Sequence, residues 1–473
     1  MSGRYTLGEI ARVVGATGLP ESAAGRTVSG YSLDSRSIKE GELFVAVAGE
    51  RFDGRQYVQG ALARGAAGAL VGAEAGLGGA AAVADGAGAD AAVVRVADAP
   101  AALQKLAAWH RQQVGIPVVA VTGTNGKTTT KDVIAHVLGA QLPVCASIGN
   151  LNSQLGMPLT LLNRMGREHK VGVFEVGMSA RGEIARLCAV LKPDRGVVTN
   201  VGAAHTQFLG DVENVFLAKS ELVDALPDGG RLYLNREDRF HERMEQRFAG
   251  AKTRVSLQDR HAPFFLDVVS VDLSGLRGEL HVAGEPGVRK LWMPIPGRHM
   301  AYPALFALAV ARDLGLDLDD SLAALATCAP AKHRMQVVGR GAITILDDCY
   351  NANPPSTEAL LEFVRGVPHA GRKVLVLGDM LELGDISLPA HRKIVERVLA
   401  EPAFARAFFV GPIYREASSG LPQLAEAVSS GRVALAETRE PVLAQLKQGL
   451  ADGDLLVLKA SRGIGLDVLL EQL

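Results

Sequence analysis

The residues best placed to do chemistry lie in one stretch, Ile116 to Thr130, which reads IPVVAVTGTNGKTTT. A short apolar run, Ile116 to Val121, ends in a loop carrying Gly123 and Gly126, and Lys127, Thr128 and Thr129 follow at once. This reads as a buried strand, a phosphate-binding loop and a helix N-terminus. Glycines let the loop turn its N–H groups toward an anion, and the next helix aims the positive end of its dipole at the same place. Thr122, Thr124 and Asn125 complete the loop. Lys127 sets a full charge against terminal phosphates, and the Thr128 hydroxyl can reach a Mg²⁺ ion. The usual pattern has a glycine five places before Gly126; Val121 stands there, so this is a tighter variant, TGTNGKT. Val133, Ile134, Val137 and Leu138 supply the apolar period of a helix behind it. An ordinary strand–turn–helix is the competing reading.

Two further apolar runs, Val171 to Val176 and Gly196 to Val201, alternate with helical segments. That alternation predicts a parallel, doubly wound sheet, whose ligands sit beyond the carboxyl ends of the strands. Glu175 ends the first run, and a carboxylate there is costly unless paired or metal-bound. It reads as a Mg²⁺ ligand or a buried salt bridge. His205 follows the second run; a lone histidine there is equally a structural residue. Lys219 lies on an amphipathic helix with Phe216, Leu217 and Leu222, where spacing alone favours a snorkelling surface lysine. Asn150 and Asn152 precede LGMPLTLL and offer amides to a peptide or sugar, or simply make a turn.

The elements that position these groups divide the chain into three. By the rule of about 150 residues per domain, 473 residues make about three domains. Residues 1–98 are a small α/β domain with a helix over Leu7 to Val14 and a strand over Leu43 to Ala48. Before that strand, Asp34, Ser35 and Arg36 form a turn whose guanidinium suits a diphosphate or makes a solvated charge pair. Residues 99–328 are the central phosphate-loop domain, opened by a helical linker, Ala101 to Gln113. From Gly230 to Pro296 alternating runs with glycine turns predict an antiparallel meander, and Ala304 to Leu314 an apolar helix. Residues 329–473 repeat strand and helix on a Rossmann-like plan. There Asp347 to Pro355 (DDCYNANPP), LGDMLELGD and Lys459 to Gly463 mark one edge of strand exits, the last bringing two cations and a hydroxyl that suit an anion or simply make a C-terminal surface turn. Asp348 is placed to meet ribose hydroxyls.

Composition excludes several classes. Lys+Arg 50 against Asp+Glu 51 leaves a net charge of −1, without the basic field that nucleic acid or an anionic membrane requires. Cys145, Cys188, Cys328 and Cys349 are far apart and form no CxxC, as expected of reduced thiols in a cytoplasmic protein. The N-terminus lacks a signal-peptide core. The Ala/Gly-rich stretch Gly60 to Pro100 is too interrupted by Arg64, Glu74, Asp85, Asp90 and Arg95 to span a membrane; it reads as small-residue packing or loose loops.

Taken together, TGTNGKTT, GNLNSQLGMPLTLL, DDCYNANPPS, LGDMLELGD and DSRSIKEGELFVAVAGERFDG resemble the Mur ligase family over essentially the whole chain. The resemblance implies an ATP- and Mg²⁺-dependent amide-forming ligase of cell-wall precursor synthesis, cytoplasmic and monomeric. It is greatest for the activity that joins D-alanyl-D-alanine to UDP-N-acetylmuramoyl-tripeptide. A sibling activity adding one amino acid, diaminopimelate or lysine, and a regulatory ATPase are the alternatives. By the same resemblance Lys127 holds ATP phosphates, and Thr128, Glu175, His205 and a carbamylated Lys219 hold metal. Arg334 reaches the phosphates from the last domain, Asp348 meets the ribose, and Asp34, Ser35 and Arg36 bind the UDP end. The family's HNxxN is here HMAYP: His299 is kept, and Met300 and Pro303 replace the asparagines near adenine.

Overall fold

The computed structural model describes residues 4–49, 53–73, 92–149, 151–203 and 206–473. Three sheets organise the chain, each built around strands too apolar to face water. The first is a four-stranded parallel sheet in the order β1 (Gly30–Ser32), β2 (Glu42–Ala46), β3 (Gly68–Gly72), β4 (Val93–Val96). The described parts of the small-residue stretch contribute to the helix Val58–Ala63 and to strands β3 and β4. Small residues are needed because backbones approach closely: a Cβ at Gly68 would stand 2.7 Å from the Ala92 carbonyl oxygen.

The middle sheet has nine strands: β13 (Arg289–Met293), β12 (Gly275–Val282), β11 (Phe264–Asp272), β10 (Ala251–Ser256), β9 (Arg231–Asn235), β8 (Arg195–Val198), β5 (Val118–Thr122), β7 (Val171–Glu175) and β6 (Val144–Ala146) in spatial order. Strand β5 shows how the sequence serves two faces at once. Val119 and Val121 enter one core, which continues into the third sheet's layer. Val118 and Ala120 enter another, shared with the first domain. The helix Ala99–Val114, expected as a linker, is a packed element instead. Ala99, Ala102, Leu103, Leu106 and Ala107 make a buried stripe at helical spacing. The expected antiparallel meander is formed by β11 to β13, which join the parallel strands through β10. Strands β9 and β10 run parallel to their neighbours, and only β11 to β13 pair antiparallel. Strand β9 is mostly buried, whereas β12 alternates buried and exposed residues, so the two textures mark two environments.

The third sheet runs β14 (Gln336–Arg340), β15 (Ile343–Asp347), β19 (Leu455–Lys459), β16 (Lys373–Gly378), β17 (Phe404–Val410), β18 (Val433–Ala436). All its pairings are parallel except β14 with β15. The sequence pattern missed β14, whose residues are half-buried or exposed as an edge strand's are.

The first sheet is locked to the middle domain by Asn163 on the helix Gly156–Arg164. Its Oδ1 accepts from Tyr31 N–H at 2.8 Å, and its Nδ2 donates to the Tyr31 carbonyl at 2.9 Å. Asn163→Ala leaves both backbone groups of β1 without this amide. It should destabilise the protein by about 1–3 kcal/mol, measured as a lower urea midpoint at unchanged m-value.

Candidate active site

The phosphate loop sits at the exit of β5, between β7 and β8, where the chain's strand order reverses. Gly126 takes φ 77° as the N-cap of the helix Lys127–Gly139, and no side chain caps that helix end. Its first amides are thus left to an anion. Gly123 (φ 150°) has no room for a side chain, because a Cβ would collide with Thr199 Oγ1. The loop is braced from the exit of β8: Asn200 Oδ1 accepts from Asn125 N–H at 2.9 Å, and Thr199 Oγ1 donates to the Asn125 carbonyl at 2.6 Å. Neither bracing residue was singled out from the sequence; their only signal is their place at a strand exit. Lys127 Nζ folds over the loop and donates to the carbonyls of Gly123 (2.9 Å) and Thr124 (3.1 Å). Burial lowers the Lys127 pKa; Glu175 opposes that effect and Arg334 adds to it.

Beside the loop, Glu175 ends β7 fully buried, and it is not the salt bridge its position allowed. Its Oε2 accepts from Thr128 Oγ1 at 2.6 Å and its Oε1 from Asn152 Nδ2 at 2.7 Å. Thr128 and Glu175 are hard oxygen donors side by side, a set that fits an oxygen-seeking divalent cation. Lys219 lines the same cleft and is only 2 % exposed, which overturns the surface reading from spacing. The helix Val212–Asp224 is covered on more than one face, burying Val215, Phe216, Ala218, Lys219, Ser220 and Leu222. Burial, reinforced by Lys127, drives the Lys219 pKa well below 10.5, while Asp238 and Glu175 pull it back.

The third sheet closes the cleft from the opposite side. Arg334 Nη2 donates to Thr128 Oγ1 at 3.1 Å, and Asn353 Nδ2 donates to Asn125 Oδ1 at 2.6 Å. Asp348, past the end of β15, takes an ion pair from the buried Lys459 of neighbouring β19 at 2.5 Å. Lys459 was read as an anion contact; its Nζ is committed to Asp348 and to the Asn351 carbonyl. His299 also lines the cleft; burial lowers its pKa, Asp348 opposing and Lys459 adding. The cleft holds about 810 Å³, within the roughly 300–1,000 Å³ of small-molecule sites.

Thus Thr124, Asn125, Gly126, Lys127, Thr128, Thr129, Asn152, Glu175, Lys219, His299, Arg334 and Asp348 line one cavity. Thr122 is buried in β5 beneath the loop. Asn150 and His205 lie outside the described residues. Asp34 and Arg36 are not brought into the cavity: they pair with each other at 2.8 Å on the first domain, with the Arg36 side chain 86 % exposed. Ser35 stands between them, half-buried.

Comparison with known proteins decides the family. Three family models match in chain order: the Mur ligase family catalytic domain (residues 27–111), the Mur ligase middle domain (121–311) and the Mur ligase glutamate ligase domain (333–462). A UDP-N-acetylmuramoyl-tripeptide–D-alanyl-D-alanine ligase of Bacillus subtilis is 32 % identical over 99 % of this chain and 98 % of its own. The chain belongs to the Mur ligase family. The enzyme of the same name from Escherichia coli is 33 % identical over 79 % of each chain. Among solved structures of the family, MurF from Acinetobacter baumannii superposes with a TM-score of 0.86 at 26 % identity, covering 99 % of this chain and 98 % of that one. MurF from Thermotoga maritima, in complex with ADP, gives 0.78 at 25 % identity over 94 % and 97 %. Among the described residues no helix is long and apolar enough to cross a membrane.

The buried Lys219 has a thermodynamic signature. Its folded pKa lies below 10.5, so the unfolded chain binds the extra proton in the window beneath that value. Stability from this group is therefore full above 10.5 and is lost as pH falls through the folded pKa. Lys219→Met removes that component. It should stabilise the protein at pH 7 by about 1–4 kcal/mol and flatten the rise of melting temperature with pH, read by calorimetry from pH 6 to 10.

Proposed function

We propose that this protein joins D-alanyl-D-alanine to UDP-N-acetylmuramoyl-tripeptide, using ATP, through an acyl phosphate. One observation carries the reading: a phosphate loop, a buried carboxylate and two lysines from the middle domain share a cleft with an arginine from the third. The relatives' names supply the substrates.

Making an amide from a carboxylate requires an activated acyl group. The peptide's terminal carboxylate attacks the γ-phosphorus of ATP; the new C–O–P bond forms as the bond to the β-phosphate oxygen breaks, and ADP departs. The dipeptide's amine then attacks the acyl carbon, gives up a proton, and expels phosphate. Two anions must meet first, so Lys127, Arg334 and the loop amides offset their repulsion. The chemistry is mostly positioning, and no side-chain nucleophile is needed. Thr128, Glu175, His205 and a carbamylated Lys219 would hold a Mg²⁺ ion, which when bound neutralises phosphate charge. Carbamylation needs a neutral amine, and burial keeps Lys219 toward that form. Asp348 takes the ribose, His299 stands beside it, and Asn150 and Asn152 meet the peptide. In this reading residues 1–98, with Asp34, Ser35 and Arg36, grip the UDP end, residues 99–328 bind ATP, and residues 329–473 bring the amine. The exclusion of water from the acyl phosphate follows from approach of the third domain.

Phosphate release coupled to peptide product is the direct test. Full turnover should require ATP, the UDP-muramyl tripeptide and D-alanyl-D-alanine together. Turnover with diaminopimelate or lysine in place of the dipeptide identifies a sibling ligase, and ATP hydrolysis independent of the muramyl peptide a regulatory ATPase. Lys127→Ala should lower kcat by about 100- to 1,000-fold with an unchanged circular dichroism spectrum. Lys219→Ala should be inactive and regain part of its rate with added short carboxylates; full activity in bicarbonate-free buffer eliminates the carbamate.

A further inference from the structure

Arg334 is presented to the phosphate loop by a backbone of unusual shape. His333 and Met335, on either side of it, both take left-handed conformations, at φ 61° and φ 51°. Non-glycine residues rarely do so, and such strain persists only where surroundings enforce it. The enforcing contacts come from the last residue of β15 and the loop after it. His333 is buried, and its Nδ1–H donates to the fully buried Asp347 carboxylate at 2.7 Å. The other carboxylate oxygen accepts from the Cys349 thiol at 2.7 Å and from the Cys349 N–H at 3.2 Å. Tyr350 N–H donates to the His333 carbonyl at 3.0 Å, and Met335 N–H to Asp348 Oδ1 at 3.2 Å. Finally the Arg334 guanidinium lies 4.0 Å from the centre of the Tyr350 ring. Every residue from 333 to 335 is therefore pinned to residues 347–350, and the side chain left pointing outward reaches Thr128.

We propose that His333 and Asp347 are a positioning pair for Arg334. Neither needs to touch substrate. The imidazole–carboxylate bond holds the left-handed turn that projects the guanidinium across the domain boundary. Histidine suits the task because it tolerates this conformation better than most residues and carries a ring N–H to fasten it. His333, Asp347 and Cys349 also bring their ligand atoms within 4.8 Å of one another. Their mutual hydrogen bonds give that grouping the role of an anchor.

The inference rests on the ligase reading, and a double-mutant cycle separates the two. His333→Gly keeps the left-handed backbone and removes the imidazole. It should lower kcat by about 10- to 100-fold, the cost of a misplaced catalytic group. KM for ATP should move less than about threefold if Arg334 acts mainly in the transition state. His333→Asn, which keeps both αL tolerance and an N–H donor, should recover most of the rate. In an Arg334→Ala background His333→Gly should cost nothing further, because what it positions is gone. Titration calorimetry with ADP gives a readout independent of turnover: the double variant should bind no more weakly than Arg334→Ala alone. Should His333→Gly not fold, Asp347→Asn poses the same question from the other partner. Losses that multiply in the double variant, a His333→Gly enzyme within twofold of wild type, or an Arg334→Ala enzyme with full activity each overturn the pair. A wild-type protein that makes no peptide product removes the ligase reading, and the proposal with it.

Discussion

A charge taken out of water must be answered by another charge, a dipole or a change of protonation, and this cleft is arranged around that requirement. Each cation has its own solution. Lys127 rests on two loop carbonyls. Lys459 is neutralised by Asp348. Arg334 lies against an aromatic face and a hydroxyl. Lys219, as enclosed as Lys459, has its pKa driven well down. The carboxylate of Glu175 is met by a hydroxyl and an amide, neither of which cancels its charge. Apart from the Lys459–Asp348 pair, a site built this way holds positive and negative groups close together without direct pairing. It is thereby prepared for a ligand that brings more negative charge.

That preparation is divided between two sheets. Strands β7, β5 and β8 lie side by side, and their exits deliver Glu175, the phosphate loop and the Thr199–Asn200 brace. Strands β15 and β19 are likewise adjacent, and theirs deliver Asp348 and Lys459. Parallel strands put all their carboxyl ends on one edge, so each sheet supplies a row of polar groups without breaking its apolar core. At the cleft the two rows meet through Arg334–Thr128 and Asn353–Asn125. Behind these polar contacts the middle and third domains also share an apolar layer that includes Met300, Met335 and Leu346. The first domain is attached through a second apolar layer, which it shares with the helix Ala99–Val114. Its Asp34–Arg36 turn remains on an outer surface.

The parts of this design that local rules control were legible in the sequence. TGTNGKTT carries its own backbone geometry, and Glu175 and Asp348 announce themselves as carboxylates at the ends of apolar runs. What the sequence hid depends on tertiary covering. Periodicity locates an amphipathic face but does not tell which other faces are later buried, and so Lys219 looked like a surface residue. Strands β9 and β10 were not singled out as parallel members of the sheet, because pairing direction is not written in a strand's own residues. The brace at Thr199 and Asn200 and the ion pair of Lys459 with Asp348 are contacts between distant segments. The left-handed turns at His333 and Met335 leave no mark in composition, since neither residue is glycine.

The HMAYP segment shows where local replacement changes chemistry rather than fold. Met300 is buried in the core that the middle and third domains share, and Pro303 lies in the first turn of the helix Ala301–Asp313. Both still line the cleft, and neither carries a side-chain amide. The nearby polar groups are largely spoken for. Asn235 Oδ1 accepts from Glu237 N–H at 3.0 Å, and the Tyr302 hydroxyl donates to Glu237 Oε2 at 2.8 Å. A purine against this wall meets a thioether, a pyrrolidine ring and an aromatic edge. Those surfaces reward shape and dispersion, and they discriminate poorly between exocyclic groups. On the proposed reading, affinity for the nucleotide comes mainly from its phosphate end, where the loop, Lys127 and Arg334 are concentrated.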